Sequence, residues 1–224
     1  MKKFVMTALV AGSALVPVAE AAQVRFTSPD WRDTTYGGGE FAADILGTGS
    51  NVDFYTFCLE RNEGLGFNTT YNFTTSGAAE AGGLGGGNPD PISEGTAFLF
   101  ELFTKGTLPN YNFATGNPVD NAARAASGRT LQNAIWSLEN EQAVNFSNIF
   151  IQAVINEFGS IGAAMADSTR AGIGVMNPTR TTGSPNDPFY RRQSVLISLP
   201  DNGMAAAMLG GGLMLIGAAR RRFA

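Results

Sequence analysis

The chain contains no histidine and a single cysteine, Cys58. Without histidine, Ser-His and Cys-His nucleophile activation, imidazole acid–base catalysis and most zinc sites are excluded together. With one cysteine, no internal disulfide can form. Lysine is nearly as scarce: beyond Lys2 and Lys3 there is only Lys105, which lacks a Ser-x-x-Lys context. The glycine-rich stretch at 77–91 has no strand before it and carries Pro89 and Pro91 behind its glycines, so it is not a phosphate-binding loop and reads as a flexible surface loop.

The two most apolar runs lie at the two ends. Residues 1–21 carry Lys2 and Lys3, an apolar run from Phe4 to Val18, and the small-x-small stretch Ala19-Glu20-Ala21. That order is a signal peptide, so residues 1–21 are set apart from the fold. At the other end, Leu199-Pro200-Asp201-Asn202-Gly203 precedes an apolar segment and then Arg220, Arg221 and Arg222. A basic cluster closing an apolar helix suits a segment halted with its arginines in the cytoplasm. The segment is short for a stable span of roughly 20 residues and holds four glycines, which fits temporary retention better than permanent anchoring. A plain C-terminal anchor is the alternative, and both place the body outside.

The body at 22–198 has the size of one domain. The ends take five of the 15 basic residues with them, leaving it markedly acidic. Nucleic acid and anionic lipid surfaces are therefore poor partners.

Strands are expected at 23–28, 39–46, 52–59 and 69–75, with Gly47-Thr48-Gly49-Ser50-Asn51 turning the second into the third as a hairpin. In the 52–59 strand, Val52, Phe54, Thr56 and Cys58 fall on one face and Asp53, Tyr55, Phe57 and Leu59 on the other. Three helices follow: one behind Ser93 ending at Gly106, one from Asp120 towards Gln142 with a possible break at Gly128, and one from Ser147 to Met165. A loop-rich stretch runs through Pro178, Pro185 and Pro188 before a last strand at 193–199. The expected fold class is α+β: an antiparallel sheet, sandwich or barrel-like, with a helical insertion of about three helices and a separate C-terminal hydrophobic helix.

No cofactor is implied, no metal site is expected, and the chain does not read as an enzyme. Glu60, Glu63, Glu139 and Glu141 are candidates for a glycosidase carboxylate pair, but solvated surface charge accounts for them better. Cys58 admits two readings: a small buried hydrophobe, or a reactive group in an exported chain where an unpaired thiol is a liability. Gln132 and Trp136 lie four apart on one helical face, flanked by Leu131 and Ile135, and the Gln132 amide needs a partner there.

Phe57-Cys58-Leu59 together with Leu131, Gln132, Ile135 and Trp136 resembles the two motifs of the thioester domains of bacterial surface adhesins. The resemblance spans roughly residues 50–142. It implies that the Cys58 sulfur displaces ammonia from the Gln132 side chain and closes an internal thioester, with Phe57, Leu59, Leu131, Ile135 and Trp136 excluding water around it. It also implies attachment to an amine-bearing surface or matrix polymer. The Gram-positive form has Thr where this chain has Leu131. Residues 199–222 resemble the PEP-CTERM and VPDSG-CTERM sorting signals recognised by exosortases, with Leu199, Pro200, Asp201 and Gly203 as the motif and Arg220, Arg221 and Arg222 as the basic end. That implies a sorting transpeptidase as partner and a chain held briefly at the inner membrane before reaching the cell surface. The alternative is an envelope or extracellular-matrix protein without covalent chemistry.

Overall fold

A computed structural model describes residues 22–32, 37–80, 83–185, 187 and 190–199, and every structural statement concerns these. The signal peptide, the C-terminal helix, Pro200, Asp201, Gly203 and Arg220 to Arg222 lie outside them. No helix among the described residues is long and apolar enough to cross a membrane.

Six strands form one antiparallel sheet: β1 Gln23–Thr27, β2 Phe41–Ile45, β3 Phe54–Thr56, β4 Thr70–Ser76, β7 Ile173–Arg180 and β8 Val195–Ser198. Their order is β3-β2-β1-β4-β7-β8. The two edges meet, because residues beyond β3 pair with β8: Leu196 N donates to Phe57 O at 3.2 Å and Leu59 N to Ser194 O at 3.0 Å. A bridge joins Cys58 to Val195 between them, so the sheet curls into a nearly closed barrel. Closure leaves few unpaired edge groups. A two-stranded ribbon, β5 Ala78–Ala79 with β6 Asp90–Pro91, leads into the helices.

The helical insertion comprises α1 Glu94–Thr104, α2 Pro118–Leu138, α3 Ile149–Phe158 and the short α4 Ile161–Ala164. Each begins where a side-chain oxygen satisfies orphan N–H groups. Ser93 caps α1 through Thr96 N, and Asn117 caps α2 with Pro118 inside the first turn. Asn148 caps α3, which ends on Gly159 in the left-handed region at φ 78°. The α+β class with an antiparallel, barrel-like sheet and a helical insertion is thus observed.

Several boundaries differ from the sequence expectation. β3 begins only at Phe54, because Asp53 is drawn into the turn, its carboxylate accepting from Ile45 N at 2.6 Å, and it ends at Thr56. Residues 57–59 then leave β2 for β8. α2 passes Gly128 unbroken and ends at Leu138. The third helix breaks at Gly159. The stretch expected to be loop-rich contains the eight-residue β7, with Pro178 inside it. The described residues of the 77–91 stretch are held by hydrogen bonds: Gly85 N donates to the Glu141 carboxylate at 3.0 Å and, within the stretch, Gly87 N to Asp90 at 3.1 Å.

Two apolar clusters result. One fills the space between helices and sheet around Phe57, Leu59, Phe100, Leu131, Ile135 and Phe150. The other, with Val24, Phe26, Phe41, Cys58, Trp136, Met176 and Val195, is made mainly of strand residues. Strand alternation sends Phe57 and Leu59 to the first and Cys58 to the second. Trp136 on α2 likewise reaches the second while its neighbour Ile135 stays in the first.

Candidate functional site around Cys58 and Gln132

The seam between the two clusters brings the expected pair together. Gln132 is 1% exposed and Cys58 6% exposed. The Gln132 amide lies along the Cys58 backbone: Cys58 N donates to Oε1 at 3.0 Å, and Nε2 donates to Cys58 O at 2.8 Å. Gly39 N donates to the same Oε1 at 3.3 Å. Two main-chain N–H groups therefore converge on one amide oxygen.

The local chain explains the arrangement. α2 carries Gln132 on its buried face and is anchored ahead of it by Arg124 on Glu40, the residue just before β2. That clasp sets the Gly37-Gly38-Gly39 run against the helix. Gly37 and Gly39 adopt φ of 63° and 105°, which favour glycine. A Cβ on Gly38 would lie 2.5 Å from Trp136 Cη2 and 2.8 Å from Gln132 Cγ, so no side chain fits there. These glycines were not singled out from the sequence. Their signal was a run of three ahead of a strand.

Phe57, Leu131 and Ile135 are fully buried, Leu59 is 2% and Trp136 8% exposed. Burial pushes the Cys58 thiol up to about 12, with the Arg32 guanidinium opposing and the Glu60 carboxylate adding to it. A cavity of about 200 Å³ opens over Gln132, lined by Gly37, Gly38, Gly39, Arg61, Arg129, Asn133 and Trp136. Leu199 is half-buried and extends the edge of β8, its N–H donating to Gly172 O at 2.8 Å.

The carboxylates expected to be solvated are mostly buried, which corrects that reading. Glu60, Glu139 and Glu141 are 2%, 6% and 3% exposed. Each is held by main-chain N–H groups: Glu60 by Ser194 at 2.9 Å, Glu139 by Ser93 at 3.1 Å, and Glu141 by Arg61 at 2.7 Å. Burial, with the Glu63 charge behind it, pushes Glu60 up to about 8 against the Ser194 hydrogen bonds. Burial pushes Glu139 up to about 7 against donors that include Ser93. Glu63 is half-buried and is also raised, by burial and then by the Glu141 charge.

Cys58 N–H and Gly39 N–H on Gln132 Oε1 are the donors that acyl chemistry at this amide would use. Attack on Cδ drives charge onto Oε1, and preorganised N–H donors aimed at such an oxygen stabilise that charge. The Cys58 thiol would be the nucleophile in such a step, and its apolar surroundings restrict water. No protein-family model, no curated protein and no solved structure matches the chain.

Proposed function

We propose that this is an exported surface protein in which Cys58 and Gln132 close an internal thioester for covalent attachment to amine-bearing partners. The observation that carries the reading is the paired donation of Cys58 N–H and Gly39 N–H to Gln132 Oε1, beside a buried thiol. In closure, Sγ bonds to Cδ, the Cδ–Nε2 bond breaks, and the thiol proton leaves with the nitrogen as ammonia. Attachment reverses the roles, with an amine from a surface or matrix polymer taking the acyl group and Cys58 recovering its proton. The high thiol pKa favours an exit as neutral thiol, so proton transfer to sulfur accompanies cleavage. The ends complete the proposal: a signal peptide exports the chain, and an exosortase-like transpeptidase acts on the tail while its helix is in the inner membrane.

A second reading is favoured by the completeness of the same hydrogen bonds. Gln132 already satisfies its amide by clamping the Cys58 backbone where the barrel closes, which a non-covalent envelope or matrix protein would need equally. Intact mass separates the two. Under the thioester reading the protein weighs one ammonia less than its sequence requires, and Cys58→Ala or Gln132→Ala restores the full mass. A full wild-type mass with a titratable thiol leaves the non-covalent reading.

A further inference from the structure

The cavity over Gln132 presents arginine beside the acyl carbon. On an acidic domain, its described lining holds two arginines, Arg61 and Arg129, and no carboxylate. The Arg61 guanidinium lies over the Trp136 ring, 5.9 Å from its centroid, while its main-chain N–H donates to Glu141 at 2.7 Å. Trp136 adds a second donor: its indole N–H is buried and has no hydrogen-bond partner among the described residues. A buried donor left without an acceptor is costly unless something supplies one.

This donor-rich lining bears on what can approach the acyl carbon. The Arg61 guanidinium disfavours an ammonium ion beside it, so an isolated amine enters more readily deprotonated. A carboxylate carried beside the amine offsets that repulsion, pairs with a guanidinium, and offers an acceptor to the indole N–H. A volume of about 200 Å³ accommodates a group of amino-acid size. We infer that the cavity lined by Arg61 and Trp136 receives a carboxylate held a few bonds from the incoming amine, so that the attachment partner presents an amino-acid-like head. The inference rests on the thioester reading. In the step itself the amine nitrogen bonds to Gln132 Cδ, the Cδ–Sγ bond breaks with its electron pair on sulfur, and the proton lost by nitrogen ends on Sγ.

The test uses the full chain and matched amines: glycine, β-alanine and 4-aminobutyrate against ethylamine, propylamine and butylamine. Adduct formation at Gln132 is followed by mass, and rates are corrected for the unprotonated fraction. At least one acid should outrun its counterpart, and Arg61→Gln should reduce that acid-to-amine rate ratio about tenfold. Trp136→Phe, which keeps the ring and removes the N–H, should reduce it by a smaller factor. Acetate should also protect the wild-type protein against propylamine, which needs no variant. If all six amines add with no acid preference, the inference is overturned while the thioester stands. If the ammonia is missing from the mass yet no amine adds to the native protein, the inference and the adhesive role fail together. A wild-type protein of full mass that takes up no amine removes the thioester reading beneath both.

Discussion

Near the start of α2 a buried carboxylate meets an arginine, whereas at the end of the same helix another meets only neutral donors. Glu40 is clasped by Arg124, whose Nε donates at 2.8 Å, and by the Tyr111 hydroxyl at 2.6 Å. Arg124 also stacks 4.5 Å from the Trp31 ring and donates to Phe113 O at 2.7 Å. Burial and then the Glu40 charge push the Tyr111 hydroxyl well up, so Tyr111 stays a donor. Glu139 has Ser93 N and Ser93 Oγ, at 3.1 and 2.8 Å, and no arginine among the described residues. The first carboxylate is paired with a guanidinium, while the second holds its proton into the neutral range. Gln132, midway between them, meets backbone with a neutral amide. One helix is therefore fixed by a charge clasp, an uncharged clamp and a proton-dependent contact, and only the last should respond strongly to pH.

Breaking the clasp should have the largest effect. Arg124→Ala leaves the Glu40 carboxylate buried without its counter-charge, which costs about 3–5 kcal/mol. Urea unfolding measures this, and adding Glu40→Gln should recover a large part because the stranded charge is gone. A loss below about 1 kcal/mol would show that Glu40 reaches water and that the two ends of α2 do not differ as described.

Next comes pH. Glu60 and Glu139 hold protons in the folded chain up to about 8 and about 7, whereas an unfolded glutamate releases its proton near about 4.3. Between those limits the folded state binds more protons than the unfolded one. The stability they contribute is fully present below that window and is lost as pH rises through it. Unfolding free energy should fall by a few kcal/mol from pH 5 to pH 8, at about 1.4 kcal/mol per pKa unit. Glu60→Gln keeps shape and polarity without titrating, and should flatten the profile. A wild-type profile that rises over this range contradicts the assignment.

Gly38→Ala is expected to cost about 1–3 kcal/mol, because the new methyl group meets Trp136 and Gln132 rather than space. It also pushes on Gln132 Cγ, so under the thioester reading a larger share of the protein should retain its ammonia. Unchanged stability and unchanged mass would mean that the glycine run does not position the amide.

How much of this was legible in the chain follows from where each signal resides. The β2–β3 hairpin and α1 are written locally, in Gly47-Thr48-Gly49-Ser50-Asn51 and in Ser93 ahead of an apolar run. The alternation of Phe57, Cys58 and Leu59 assigned their faces correctly even though β3 ends earlier. Gly128 does not break α2; it lies inside the helix against Glu40, whose backbone N is 3.4 Å from where a Cβ would be, an ordinary contact. β7 was hidden by Pro178, whose partner Phe73 stands in register across the ladder. The buried glutamates were hidden for a different reason. Their partners are main-chain N–H groups 46, 80 and 134 residues away, and a backbone donor leaves no mark in a sequence.

The smallest effect tests the proton-dependent end most directly. Ser93 Oγ does two things: it accepts from Thr96 N at 3.2 Å as the α1 cap, and it donates to Glu139 at 2.8 Å. Ser93→Ala removes both, while Ser93 N still reaches Glu139. Loss of the cap alone costs about 1 kcal/mol at any pH. The donation to Glu139 favours the ionised carboxylate, so its loss should move that carboxyl above about 7 and add to the cost only where Glu139 is charged. The substitution should therefore cost more at pH 8 than at pH 5. Ser93→Thr, which retains the hydroxyl, should restore most of the difference. Equal costs at the two pH values would mean that Ser93 acts on α1 alone and that Glu139 is governed from elsewhere.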